Sequence, residues 1–235
     1  MVELQLSLPA LLRFLRGQGL DRLAMDDDLG YGIHAWLAAA FGDMAPGPWR
    51  LFQGRGRPPR ILGYSSYEAL QLQERMATFA DPMAAAVCPV DGIASRPMPS
   101  WREGRRLGFE VQACPVGRKA RSGIEKDIFL IRADHEQGPL DREAVYCQWL
   151  RDQLERDDAL SVGGVRVAGF RMVRVTRRSQ GGPGERKGRS LIRPQVLFRG
   201  ELTIRDPVAF HSVIARGVGR HRAFGYGMIL LRPAS

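Results

Sequence analysis

The sequence predicts an α+β protein built from two βαββαβ halves in tandem. Three observations lead there. Strand-like and helix-like stretches recur in that order twice along the chain of 235 residues. A Pro-, Gly- and Ser-rich stretch, DGIASRPMPSWREG (91–104), separates the two rounds and reads as a linker. The apolar share is that of an ordinary globular chain, and the length suffices for a real core in each half.

The first half is assigned to residues 1–90. VELQLSL (2–8) alternates apolar and polar residues and reads as a strand. Pro9 suits the first turn of a short helix, PALLRFLRGQ. In MDDDLGYGIHAWLAAAFGD, one of Asp26, Asp27 and Asp28 is expected to cap a helix that Gly42 ends. WRLFQG and PRILGYS read as two strands around GRGRPP. SSYEALQLQERMATFA reads as a helix with Ser66 as cap and an apolar spacing at Leu70, Met76 and Phe79. AAAVCPV is expected to be the fourth strand.

The second half is assigned to 105–235. RRLGFEVQACPV opens it as a strand, and GRKARSG follows as a basic loop. KDIFLIR is expected to be a strand in an insertion. LDREAVYCQWLRDQLERDDAL reads as a helix capped by Asp141. GVRVAGFRMVRVTRR and RSLIRPQVLFRGELTI are long alternating strands joined by SQGGPGERKG, a hairpin tip. Asp206 and Pro207 start the helix PVAFHSVIARG, and GYGMILLRP is the last strand. The plan is that of two ferredoxin-like (RRM-like) domains.

Charge is spread unevenly. The chain carries +10, yet residues 161–235 alone carry +12 and the first 160 carry −2. Such asymmetry points to an acidic polymer, with nucleic acid as the default partner. No apolar run approaches the ~20 residues that span a bilayer. The start, MVELQLSLPALLRFLRG, lacks the basic n-region and cleavage site of a signal peptide, so the expected address is the cytoplasm. Cys88, Cys114 and Cys147 fit neither a disulfide framework nor a zinc pattern and read as buried thiols.

The basic hairpin carries Arg171, Arg174, Arg177, Arg178, Arg186, Lys187, Arg189 and Arg193. Side chains two apart share a face. Each face therefore runs from apolar near the stem to cationic near the tip. A projecting ribbon of this kind can grip RNA where a stem end or loop opens the groove. Lys119 in the basic loop joins this set.

GVGRHRAFGYGMILL (217–231) places Gly217, Gly219, Arg220, His221 and Arg222 in one loop, with Arg216 just before it. It follows a helix and precedes a strand, and Arg222 stands where a dinucleotide fingerprint needs its third glycine. That excludes nucleotide-cofactor binding of the usual kind. Glycines here let main-chain N–H groups approach phosphates, and the cations hold them. Phe224 and Tyr226 read as core anchors rather than stacking platforms. No H-E-x-x-H or Cys/His cluster is present, so no metal or other cofactor is expected. His135 reads as a solvated turn residue and His211 as structural.

This stretch resembles the C-terminal glycine-rich motif of CRISPR-associated repeat-RNA endoribonucleases of the CasE type, the RNA-processing subunit of type I-E Cascade. The helix start DLGYGIHAWLAAAFG is similar to that family's Y-x-x-H-x-x-L, matched by Tyr31, His34 and Leu37. The resemblance implies metal-independent cleavage at the 3′ base of the repeat stem. A 2′-hydroxyl attacks the phosphorus, leaving a 2′,3′-cyclic phosphate and a 5′-hydroxyl. It implies His34 as general base or acid and Tyr31 as its orienting neighbour, with His221 as runner-up. A nearby helix N-terminus would favour neutral His34. It also implies retention of the guide RNA within Cascade, the other Cascade subunits as partners, and a monomer outside that complex. One departure is Ala39, where some members carry a lysine. Transition-state charge then falls to Lys119, Lys187 or Arg222. The alternatives are a non-catalytic RNA-binding subunit of the same fold, and a general nucleic-acid binder unrelated to CRISPR.

Overall fold

The computed structural model describes residues 1–20, 29–54, 56–118, 125–178 and 188–234, with side chains left undescribed at 176–178 and 188–190. Two compact units divide the chain. One comprises Met1–Met98 with Val173–Ile192 and Ala223–Gly225. The other comprises Pro99–Met172, Arg193–Arg222 and Tyr226–Ser235.

In the first unit, β1 (Val2–Gln5), β2 (Trp49–Gly54), β3 (Arg57–Gly63) and β4 (Ile93–Ser95) form an antiparallel sheet in the order β2-β3-β1-β4. Leu4 pairs with Ile61 on one side and Ile93 on the other. All three are buried, as period-two alternation requires of a sheet covered on one face. Two helices cover that face, α1 (Leu8–Gly17) and α2 (Gly30–Phe41), joined by α3 (Ala69–Phe79) and the short α4 (Pro82–Ala85). Ser7 caps α1 by accepting from Ala10 N. Ala10, Leu11, Phe14 and Leu15 then face the core. Burying each of the large ones is worth roughly 1.5–3 kcal/mol.

The second unit repeats the plan. Its sheet runs β10-β5-β9-β8, from β5 (Arg106–Ala113), β8 (Leu160–Arg178), β9 (Gly188–Ile204) and β10 (Ile229–Pro233). Val111 pairs with Phe198 and Ile229, again all buried. The helices are α6 (Arg142–Leu154), capped by Asp141, and α7 (Pro207–Arg216), capped by Asp206. Both caps are the expected ones. Between β5 and α6 sits an insertion: a two-stranded ribbon of β6 (Val116–Arg118) and β7 (Glu125–Asp127), then α5 (Ile128–Ala133). In each unit the sheet order is fourth, first, third, second, which is the ferredoxin-like arrangement.

Several expectations need correction. AAAVCPV is not a strand: Asp81 accepts from Met83 N and Ala84 N, Pro82 takes the first helical position, and the chain turns. The fourth strand falls at 93–95, inside the stretch expected to be a linker. KDIFLIR contributes only the end of β7. Asp127 then caps α5 by accepting from Phe129 N, which stops the strand. Glu68 rather than Ser66 caps α3, through a reciprocal capping box with Gln71. Consequently Leu72 and Met76 are buried, while Leu70 and Phe79 are 64% and 66% exposed. Asp26, Asp27 and Asp28 lie outside the described residues, and the residue before α2 is Leu29, with no side-chain cap.

All three cysteines are buried thiols outside any disulfide. Burial pushes the Cys88 thiol up to about 12 and also raises that of Cys147. No helix among the described residues is long and apolar enough to cross a membrane.

Candidate functional site

Helix α2 sets the geometry of the Tyr–x–x–His pair. Tyr31 and His34 stand three residues apart, so they share a face. The opposite face, with Ile33, Trp36, Leu37, Ala40 and Phe41, is buried. Trp36 Nε1 donates to Ala84 O at 2.9 Å and fixes the rotation of the helix. Gly32 lets α1 approach closely; a Cβ there would stand 2.9 Å from Leu15 Cδ1. The outcome is an exposed His34 beside a half-buried Tyr31.

A third ring completes this cluster within the first unit. Phe224 lies with its centroid 5.9 Å from that of Tyr31, tilted by 34°. It meets His34 edge to face, at 5.8 Å and 85°. Phe224 is therefore not a plain core anchor: it is half-buried and holds the imidazole. Desolvation by these neighbours lowers the His34 pKa below its ordinary 6.5. The direction is the expected one, and burial accounts for it. Near neutral pH the ring is uncharged, able to accept a proton, and reachable from solvent.

The glycine-rich loop is folded by its own backbone. Val218 N donates to Gly227 O at 2.9 Å, and Gly227 N donates to Gln112 O at 2.8 Å. Tyr226 is buried, as expected, and its hydroxyl donates to Gln195 Oε1 at 3.1 Å. Gly225 has φ +87°, and a Cβ there would come 2.7 Å from the Trp49 ring. That position admits only glycine.

Glu125 was not singled out by the sequence, yet it organises the cationic part of this loop. It is buried at the start of β7. Its Oε1 accepts from Arg220 Nε at 2.8 Å. Its Oε2 lies 3.0 Å from His221 Nε2 and 3.9 Å from Arg193 Nε. His221, expected to face RNA, is instead buried at a left-handed φ of 62°, which asparagine, aspartate and histidine tolerate better than most residues. Its ring is thereby far less accessible than that of His34. Arg220 is half-exposed and ion-paired. Glu125→Ala is expected to cost about 2–3 kcal/mol, because it takes the carboxylate away from the largely buried Arg193 and from the buried His221 ring, while Arg220 can still reach water. Urea unfolding compared with wild type checks this.

The remaining cations are dispersed. Arg222 is exposed and donates to Arg216 O at 2.7 Å. Arg216 itself pairs with Asp157. Gly217 ends α7 with φ 68°, and Gly219 packs by the Trp149 ring. Arg171 and Arg174 are exposed on β8, Arg171 donating to Gln195 Oε1 at 3.3 Å. Arg177 and Arg178 end β8, and Arg189 lies at the start of β9. Lys119, Arg186 and Lys187 lie outside the described residues. Among the described residues no three His, Cys, Asp or Glu side chains group as metal ligands.

Comparison with known proteins now bears on these features. A family of CRISPR-associated proteins matches residues 14–233. The chain is 29% identical over 189 residues to the CRISPR-associated endoribonuclease Cse3 of Thermus thermophilus, covering 79% of each chain. Among solved structures, Cse3 bound to a 19-nucleotide RNA superposes with a TM-score of 0.65 at 23% identity, covering 99% of both chains. Cas6e from Escherichia coli K-12 gives 0.51 at 18% identity, covering 99% and 98%. A chain of a CRISPR RNA-guided surveillance complex gives 0.56 at 19%, covering 89% and 95%. The likeness in fold agrees with the tandem sheets, and the family match spans nearly the whole sequence: the chain belongs to the CRISPR-associated Cse3/Cas6e family.

Proposed function

We propose that this protein is a CRISPR repeat-RNA endoribonuclease, and that His34 acts as its general base. The observation that carries the reading is the ring cluster on α2: a solvent-reachable histidine, kept neutral by partial burial and held in place by Phe224. The similarity to Cse3 supports the same class of reaction and substrate.

The step is a transesterification. Neutral His34 takes the proton of the 2′-hydroxyl on the 5′ side of the scissile phosphate. The 2′-oxygen bonds to phosphorus, and the bond to the 5′-oxygen breaks. The leaving 5′-oxygen takes a proton from water and His34 gives its own proton back to solvent, so the products are a 5′-hydroxyl and a 2′,3′-cyclic phosphate with no net change in protons. Tyr31, on the same helix face, orients the reacting groups through its hydroxyl. Lys119, Lys187 or Arg222 supplies charge to the pentacoordinate phosphorus. The hairpin arginines and the glycine-rich loop hold the repeat stem-loop, cleavage falls at the 3′ base of the stem, and the product stays bound for assembly with other Cascade subunits. Outside that assembly the protein is a monomer.

A labelled repeat hairpin incubated with excess protein in EDTA tests this reading. Cleavage to a cyclic-phosphate end is expected. Tight binding without any cleavage would instead identify a non-catalytic RNA-holding subunit. The absence of any lysine or arginine from α2 favours that second reading, since the helix then supplies no cation beside His34.

A further inference from the structure

We infer a second nucleic-acid site on the outer face of the first sheet, one that takes an unpaired base and its adjoining phosphate from single-stranded RNA. Here β1, β2 and β3 turn their non-core side chains to solvent. Gln5 pairs with Arg60, which pairs with Phe52, and these three form a row across the sheet. The next row joins Glu3, Leu62 and Arg50. A cavity of about 330 Å³ opens on this face, lined by Glu3, Gln5, Phe52, Arg57 and Arg60 among others. It contains neither Tyr31 nor His34.

The chemistry of this face is that of base capture. The solvated side of an antiparallel sheet is normally polar, so a phenyl ring among arginines there is out of pattern. The Arg50 guanidinium lies 4.9 Å from the Phe52 ring centre and that of Arg60 lies 5.8 Å away. An aromatic ring flanked by planar cations offers a stacking platform to any base. Arg60 is held on its other side by Glu3 at 3.4 Å, which keeps its fork in place beside the ring. Gln5, an amide with both donors and an acceptor, faces the same space and suits a base edge. Among the described residues, three guanidinium groups face one carboxylate there, an excess of positive charge that suits a phosphodiester. RRM-type sheets capture unpaired bases in this manner, by aromatic stacking on the open face.

The site rests on the RNA-binding reading only for the choice of polymer, and its test is separate from cleavage. Fluorescence anisotropy would follow labelled hexauridylate binding to the full chain at about 50 mM salt, where phosphate contacts are strong. Phe52→Leu keeps an apolar side chain but removes the ring. It is expected to weaken hexauridylate binding about tenfold, while Phe52→Trp stays within about twofold of wild type. Arg57→Glu, at an exposed position, is expected to weaken it as well, which guards against a folding defect at Phe52. Binding of the repeat hairpin should be unchanged in all three variants. Equal hexauridylate affinity for Phe52→Leu and wild type would overturn the inference. So would an abasic hexamer that binds as tightly, since only phosphate would then be recognised. Displacement of the hexamer by equimolar uridine monophosphate would also overturn it, in favour of a free-nucleotide site. A protein that fails to cut the hairpin yet shows the expected Phe52 series would sink the nuclease reading and leave this one standing.

Discussion

His34→Ala is expected to bind the repeat hairpin as wild type does and to cut it about 10²–10⁴-fold more slowly in a single turnover. The side chain is exposed, and its helix is held by residues on the other face, so folding should be little affected. The pH profile gives the sign. A base must be unprotonated, and partial burial holds the His34 pKa below 6.5. Cleavage should therefore reach its plateau on the alkaline side and fall as acid protonates the ring, with its midpoint below 6.5. The same shift acts on stability. The folded state resists protonation more than the unfolded chain does, so the contribution is complete above 6.5 and is lost as the pH falls through the lower, folded value. A His34→Ala protein that cuts as fast as wild type would remove His34 from the chemistry.

Gly227→Ala should produce the largest loss of stability from a single methyl group, about 3–4 kcal/mol. Its φ is +79°, which costs an L-residue roughly 1–2 kcal/mol. The added Cβ would also collide with the carbonyl oxygen of Val218, a backbone atom that cannot step aside. The two backbone hydrogen bonds of Gly227 sit on either side of that collision, and each lost bond adds about 1 kcal/mol. Gly164→Ala in β8 is the control. An added Cβ there meets nothing, so a change within about 0.5 kcal/mol is expected. Denaturant midpoints of the two variants decide the matter. Similar midpoints would mean that the loop relaxes around Gly227 without strain.

What could be read from the sequence was local, and what could not was distant. Ordered alternation and the caps at Asp141 and Asp206 are near-neighbour signals, and they placed the strands and helices of both halves. The Tyr31–His34 spacing is also local, and the structure puts both side chains on one face as read. Errors arose where two local signals competed. At Ser66 and Glu68 both residues can cap, and the reciprocal bond from Gln71 settles the choice two residues later. AAAVCPV has strand-like composition, but Asp81–Pro82 ahead of it starts a helical turn. Glu125 could not be found at all. Its partners Arg220 and His221 are 95 and 96 residues away, and within GIEKD it looks like any solvated acid. The partner of His34 was missed for the same reason. Phe224 was read with its own loop, whereas its ring belongs with a helix near the start of the chain.

The cationic end of the glycine-rich loop is braced by β7, a strand of the insertion and not of the repeated βαββαβ plan. The loop is thus not a portable motif. A designer who moved residues 217–227 onto another sheet of this topology would carry over the glycines and lose the carboxylate that makes Arg220 and His221 hold their places. The insertion and the loop form one transplantable part, and chimaeras between relatives should succeed only when the two travel together.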